Sequence, residues 1–149
     1  MITRRDLLAV LPALAAADPF ALADAETGTS RVMGSEVFDW NRIPVQPTPY
    51  GSVRHFFSAP TATLENLELH VTTLNPGHAP HAPHRHPNEE MLIIQQGTVE
   101  ALSNGEWKPV GPGSVIFNAS NQLHGVRNRG SVPAVYHVLN WKTAATPKG

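Results

Sequence analysis

The chain of 149 residues contains no cysteine. Thiolate metal ligands, disulfides and cysteine nucleophiles are therefore excluded, and any bound ion must take nitrogen or oxygen donors. Charge is sparse as well. Asp, Glu, Lys and Arg make up 15% of the residues, and the formal net charge is −1. No block of like charge occurs, so a nucleic acid or an acidic membrane finds no polycationic face, and neither is expected as a partner. No apolar run reaches the roughly 20 residues of a membrane-spanning helix, and no membrane anchor is expected. Long helical patterns are missing too. Fourteen prolines and eleven glycines punctuate short apolar runs, which favours many short strands. At this length one domain is expected, large enough to bury on the order of two thirds of its unfolded surface.

What the chain does have is histidine, with His78, His81, His84 and His86 in one proline-rich stretch. Pro76, Pro80, Pro83 and Pro87 keep helix out and hold this backbone extended. His84 and His86 are two residues apart, so in an extended segment both imidazoles leave one face while Arg85 points away. Glu90 opens the apolar run Met91–Ile94 and shares a face with Leu92 and Ile94. Glu89 has the opposite parity, which makes it the lesser candidate. Two imidazoles and a carboxylate are good ligands for Zn, Fe, Mn or Ni, and they leave positions open for water or substrate. A further ligand has to come from elsewhere in the chain, and His124 is the best candidate. With so many nitrogen donors, Mg and Ca are disfavoured. The competing reading has the histidines hydrogen-bonding without an ion. Burying three imidazoles and a carboxylate that way costs several kcal/mol for the charge alone, on the order of what an isolated buried ion costs. A cation between neutral imidazoles turns that cost into affinity. His78 and His81 precede the pair at three-residue steps and read as exposed residues of a polyproline-like loop; the alternative makes them extra ligands or proton carriers at the mouth of the site.

The spacing His-x-His, three residues, Glu90, six residues, Gly97 resembles the first motif of the cupins. Their second motif runs Gly, five residues, Pro-x-Gly, two residues, His, three residues, Asn. The stretch from Gly113 to Asn128 matches that spacing throughout, with Ala119 for the Pro and Asn121 for the Gly. Asn is the non-glycine residue best able to take positive φ, so the turn survives at Asn121. Between Gly77 and His84 there are six residues where five are usual, a loop change that leaves the ligand spacing intact. The resemblance spans Leu64 to Trp141. It implies an all-β, double-stranded β-helix or jelly-roll barrel holding one divalent transition metal, mostly Mn, Fe, Ni or Zn, on His84, His86, Glu90 and His124.

Along the chain, residues 1–23 resemble a twin-arginine export signal. Thr3-Arg4-Arg5-Asp6-Leu7-Leu8 leads into the apolar stretch Leu7–Ala17, and Ala21-Leu22-Ala23 offers a small-x-small cleavage site. An ordinary secretory signal or a helical arm is the plainer reading. Residues 24–34 read as a polar linker, and residues 35–149 as the cupin domain, placed in the periplasm or outside the cell. Glu36–Trp40 reads as a first strand and Val53–Phe57 as a second. In small cupins such strands pair across a dimer, so the resemblance implies a homodimer. In Leu64–Leu74, the apolar set Leu67, Leu69, Val71 and Thr73 is expected to line the barrel, with His70 on the surface or in sheet packing. Asn104-Gly105 marks a two-residue hairpin between Thr98–Leu102 and Trp107–Val110. Ser114–Asn118, Leu123–Asn128 and Ala134–Lys142 complete about nine short strands, a closed or sandwiched β architecture.

Two functions follow. In the favoured one, an enzyme binds a small oxygenated substrate to the ion through open positions. Glu90 serves as base, with Gln96 and Asn128 in the pocket by strand parity and Tyr136 or His137 beside them. Dioxygenase, isomerase, lyase and hydrolase chemistry all occur among cupins, so the fold does not choose the reaction. The alternative is a non-catalytic metal- or ligand-binding module. Polar pocket residues beyond the ligands favour the enzyme.

Overall fold

Turn chemistry sets where the strands begin and end. The computed structural model describes residues 31–148; the export segment 1–23 and most of the 24–34 linker lie outside them. Nine strands are found there: β1 (Gln46–Thr48), β2 (Gly51–Ala59), β3 (Asn66–Leu74), β4 (Glu89–Gln96), β5 (Val99–Ser103), β6 (Glu106–Val110), β7 (Val115–Asn118), β8 (Gly125–Arg127) and β9 (Ala134–Lys142). Asn104 and Gly105 take φ of 52° and 81°, and Ser103 pairs with Glu106. That is the expected two-residue hairpin, its positive φ values matching the twist of the flanking strands. Asn121 also takes positive φ, 57°, as expected of the residue standing for a motif glycine. At the start of β2, Gly51 has φ 145°, and a Cβ there would fall onto the Thr73 carbonyl oxygen of β3. Only glycine lets β2 lie this close.

All pairings are antiparallel. One sheet has six strands in the order β1-β2-β3-β9-β4-β7, the other three in the order β6-β5-β8. Both sheets feed one core. Leu74, Leu92, Ile94, Ile116, Tyr136 and Val138 come from the larger sheet, and Val99, Ala101 and Val126 from the smaller. Burial of each large side chain such as Leu74 or Ile94 contributes about 1.5–3 kcal/mol relative to leaving it exposed. Two antiparallel sheets closed over a shared core form the expected all-β jelly roll.

Two local expectations fail. Glu36–Trp40 is not a strand. The Asp39 carboxylate accepts from the Asn41 N–H at 2.9 Å and caps a short 3-10 turn at Trp40–Arg42, the local competition with strand pairing that Asp side chains offer. The facing of β3 is also reversed. His70 and Thr72 line the interior cavity, and Leu67, Leu69 and Val71 point outward. The reason lies in the N-terminal arm. Phe38 packs on Phe57, which pairs with Leu69, at a centroid distance of 5.0 Å. Trp40 packs against Phe56, and Arg54, opposite Val71, lies over the Trp40 ring. The outer face of β2 is thereby covered by the arm, which leaves the polar face of the sheet for the cavity.

Candidate metal centre

The site begins with a backbone contact. His84 and His124 form an isolated antiparallel bridge, each N–H donating to the other's carbonyl at 3.0 and 3.1 Å. The turn before His124 is tied to the His84–Pro87 segment at three further points. Arg85 donates to the Asn121 carbonyl at 2.7 Å, Asn121 N–H to the His86 carbonyl at 2.8 Å, and Ser120 Oγ to the Pro87 carbonyl at 2.7 Å. The His-x-His spacing then carries His86 to the same side as His84.

One ring nitrogen from each of His84, His86 and His124 lies within 4.8 Å of the others. Glu90 at the start of β4 reaches them, with Oε2 3.8 Å from His86 Nε2 and Oε1 3.7 Å from His124 Nε2. Donors around an ion with bonds near 2.1 Å stand about 3–3.5 Å apart, so a small inward movement completes a coordination set. Asn118 of β7, paired directly with Glu90, donates to its Oε1 at 2.9 Å and holds the carboxylate in place. Glu89 points the other way and accepts from Trp141 Nε1 at 3.1 Å.

The tautomers are set by the surroundings. His86 Nδ1 and His124 Nδ1 each lie 2.9 Å from a backbone carbonyl, of Asn88 and Gln122. The proton therefore sits on Nδ1 and the Nε2 lone pair faces inward, as in imidazoles that bind metals. His124 is 3% exposed, and its Nε2 and the buried Nδ1 of His84 have no hydrogen-bond partner among the described residues. Orphaned buried nitrogens of this kind are costly, and a cation satisfies them. Burial pushes the His84 pKa below its ordinary value, reinforced by the neighbouring His81, His124 and His86, with Glu90 opposing. This favours the neutral imidazole, the form that binds metal. The donor set fits a divalent transition ion.

The site forms one part of a cavity of about 260 Å³. Val53, Leu92, Ile116, Val126 and Val138 make its apolar wall; His55, His70, Thr72, Asn118 and Tyr136 supply polar groups. Tyr136, a candidate catalytic residue, is 2% exposed and stands here, opposite Thr72 in the β3–β9 ladder. Burial raises its phenol pKa above the ordinary value, with the Thr72 side chain pulling the other way. His137 falls on the outer side of β9. His81 is exposed at the cavity lining, its ring edge-on to His84 at 4.1 Å, and His78 is exposed on the loop.

Two candidates are corrected. Gln96 is exposed and outside the cavity, because a register shift between Ile94 and Gln96 breaks the alternation that parity assumed. Asn128 is fully buried, but its amide donates to the carbonyls of Leu74 and Val132 at 2.9 and 2.8 Å, and its Oδ1 accepts from Gly130 N–H. Its polar capacity is spent on holding loops together. Sequence reasoning missed Asn118, which the motif spacing places opposite Glu90, and it set His70 outside the barrel.

Comparison with known proteins agrees with this fold. Residues 70–140 match the family described as Cupin_2, Cupin domain. No curated protein matches the chain. Among solved structures, the polyketide cyclase RemF from Streptomyces resistomycificus is 16% identical with a TM-score of 0.59, over 78% of this chain and 89% of its own. A predicted oxalate decarboxylase from Thermotoga maritima is 19% identical with a TM-score of 0.58, over 72% and 99%. KdgF from Halomonas sp. is 16% identical with a TM-score of 0.58, over 74% and 97%. The described chain has the jelly-roll fold of the cupins, and its residues 70–140 match the Cupin_2 model.

Proposed function

We propose that this protein is a metal-dependent cupin enzyme acting on a small oxygenated organic molecule, by isomerase, lyase or dioxygenase-type chemistry. The observation that carries the reading is the pair of unpartnered buried nitrogens on His84 and His124, set beside His86 and Glu90 in a cavity with further polar groups. One ion of Mn, Fe, Ni or Zn held by these four residues would supply Lewis acidity toward an oxygen donor of the substrate. The chain's own groups do the rest. Asn118 fixes Glu90, which accepts a proton at its carboxylate when it is not drawn fully to the ion. Tyr136, kept protonated by burial, donates its hydroxyl hydrogen to substrate oxygen. The apolar wall excludes water and selects a carbon skeleton of modest size. A predicted oxalate decarboxylase and a polyketide cyclase on the same fold lend this chemistry precedent, as analogy alone.

The same apolar wall favours a second reading, a non-catalytic module that binds a ligand on the ion. Elemental analysis of untagged protein beside His86→Ala tests the shared premise. About one equivalent of metal, lost in the variant, is expected; little metal in either protein overturns both readings. Turnover of small oxygenated compounds that vanishes in Tyr136→Phe while the metal stays separates the enzyme from the module. Export to the periplasm or beyond, on the strength of residues 1–23, and a homodimer belong to the same proposal. Val115 and Phe117 on β7 stand exposed at 56% and 52%, an apolar edge suited to a second copy. Sedimentation at working concentration tests the dimer, and fractionation of the native host tests the export.

A further inference from the structure

We infer that Glu68, His70 and His55 form a second divalent-cation site in the same cavity, independent of the one on His84, His86, Glu90 and His124. Glu68 and His70 are two residues apart on the inner face of β3, and His55 of β2 stands directly opposite His70 in the ladder. One donor atom of each lies within 4.8 Å of the other two. Glu68 Oε1 is 2.7 Å from His70 Nδ1 and 3.9 Å from His55 Nδ1, so the carboxylate already sits between the imidazoles. The two rings are tilted, with their centroids 5.4 Å apart. A β-bulge in β2 immediately after His55 re-aims the strand there, the device by which sheets point a side chain at a site. His55 and His70 line the cavity together with Glu90 and His124.

Two imidazoles and one carboxylate suit Zn, Co, Ni or Cu and leave at least one position free for water or substrate. The site sits at the solvent side of the cavity, since the His55 side chain is 53% exposed while those of His70 and Glu68 are 22% and 24%. The ion must compete with the existing His70–Glu68 contact and with water at His55, so this site is looser than the central one.

Zinc alone is the probe, titrated by equilibrium dialysis into untagged protein with elemental analysis and circular dichroism as the folding control. Wild type is expected to take two equivalents, one tight and one loose. His55→Ala, at an exposed position, and Glu68→Gln should each keep the tight equivalent and weaken the loose one by about tenfold or more. His86→Ala/His124→Ala should keep only the loose one. A wild type that stops at one equivalent, or a second equivalent indifferent to both His55→Ala and Glu68→Gln, overturns the inference and makes the trio a hydrogen-bonded strand tie. If His86→Ala/His124→Ala loses nothing while Glu68→Gln loses an equivalent, the central site fails and this one stands.

Discussion

Two side-chain clusters that reach the cavity are built by one rule. In each, two residues at i and i+2 share a face of an extended segment, and a third comes from the residue paired across from one of them. His84, His86 and His124 follow it through an isolated bridge, Glu68, His70 and His55 through a continuous ladder. The difference lies in support. In the first, His86 and His124 lean on backbone carbonyls and Glu90 on Asn118. In the second, the best-made contact runs between two of the donors themselves, and His55 faces solvent. Spacing brings donors together; outer partners and burial decide how tightly they hold an ion.

The widest separation between the clusters should come from His124→Ala. It removes a buried ligand, so its metal affinity should fall by more than the roughly 10–100-fold that loss of a supporting partner costs. Dialysis against a chelator reads this directly, and retention of the tight equivalent would break the comparison. Gly51→Ala attacks the other side. Its Cβ meets the Thr73 carbonyl at positive φ, so stability should drop by more than about 1 kcal/mol in urea unfolding. The β2–β3 ladder that sets His55 opposite His70 would suffer first. Asn118→Leu leaves all donors present and should weaken the tight equivalent by about tenfold, without touching the loose one.

Acidification gives a smaller, graded effect. Burial lowers the folded-state pKa of both His84 and His137. Below the ordinary imidazole value of about 6.5, the unfolded chain therefore binds more protons than the native one. Metal-free protein should keep full stability above that value and lose it as pH falls through the depressed folded pKa values. Urea midpoints across this range check the sign. Gln96→Ala should change neither metal content nor stability beyond about 0.5 kcal/mol, as expected of an exposed position without special contacts.

The central cluster was legible because its information is local. His84-Arg-His86, the step to Glu90 and the parity of β4 each fix a side-chain direction over a few residues. The Asn104-Gly105 hairpin and the positive φ of Asn121 were readable for the same reason. What failed depended on distant chain. Gln96 was lost to a bulge that only the pairing with Val135 reveals. Asn128 shares the parity of His124 and Val126, yet its amide is claimed by Leu74 and Val132. The reversed facing of β3 goes with an arm far upstream that packs on Arg54, Phe56 and Phe57 of the neighbouring β2, and no alternation within β3 announces it.

The bridge between His84 and His124 has a consequence for metal exchange. Closing a flexible loop of the roughly 40 residues between these positions would cost about 3 kcal/mol in chain entropy. Two main-chain hydrogen bonds and the contacts of Arg85, Asn121 and Ser120 offset that cost on folding. A metal entering the proposed site would therefore meet donors that the backbone already holds together, and its exchange would not require the barrel to open.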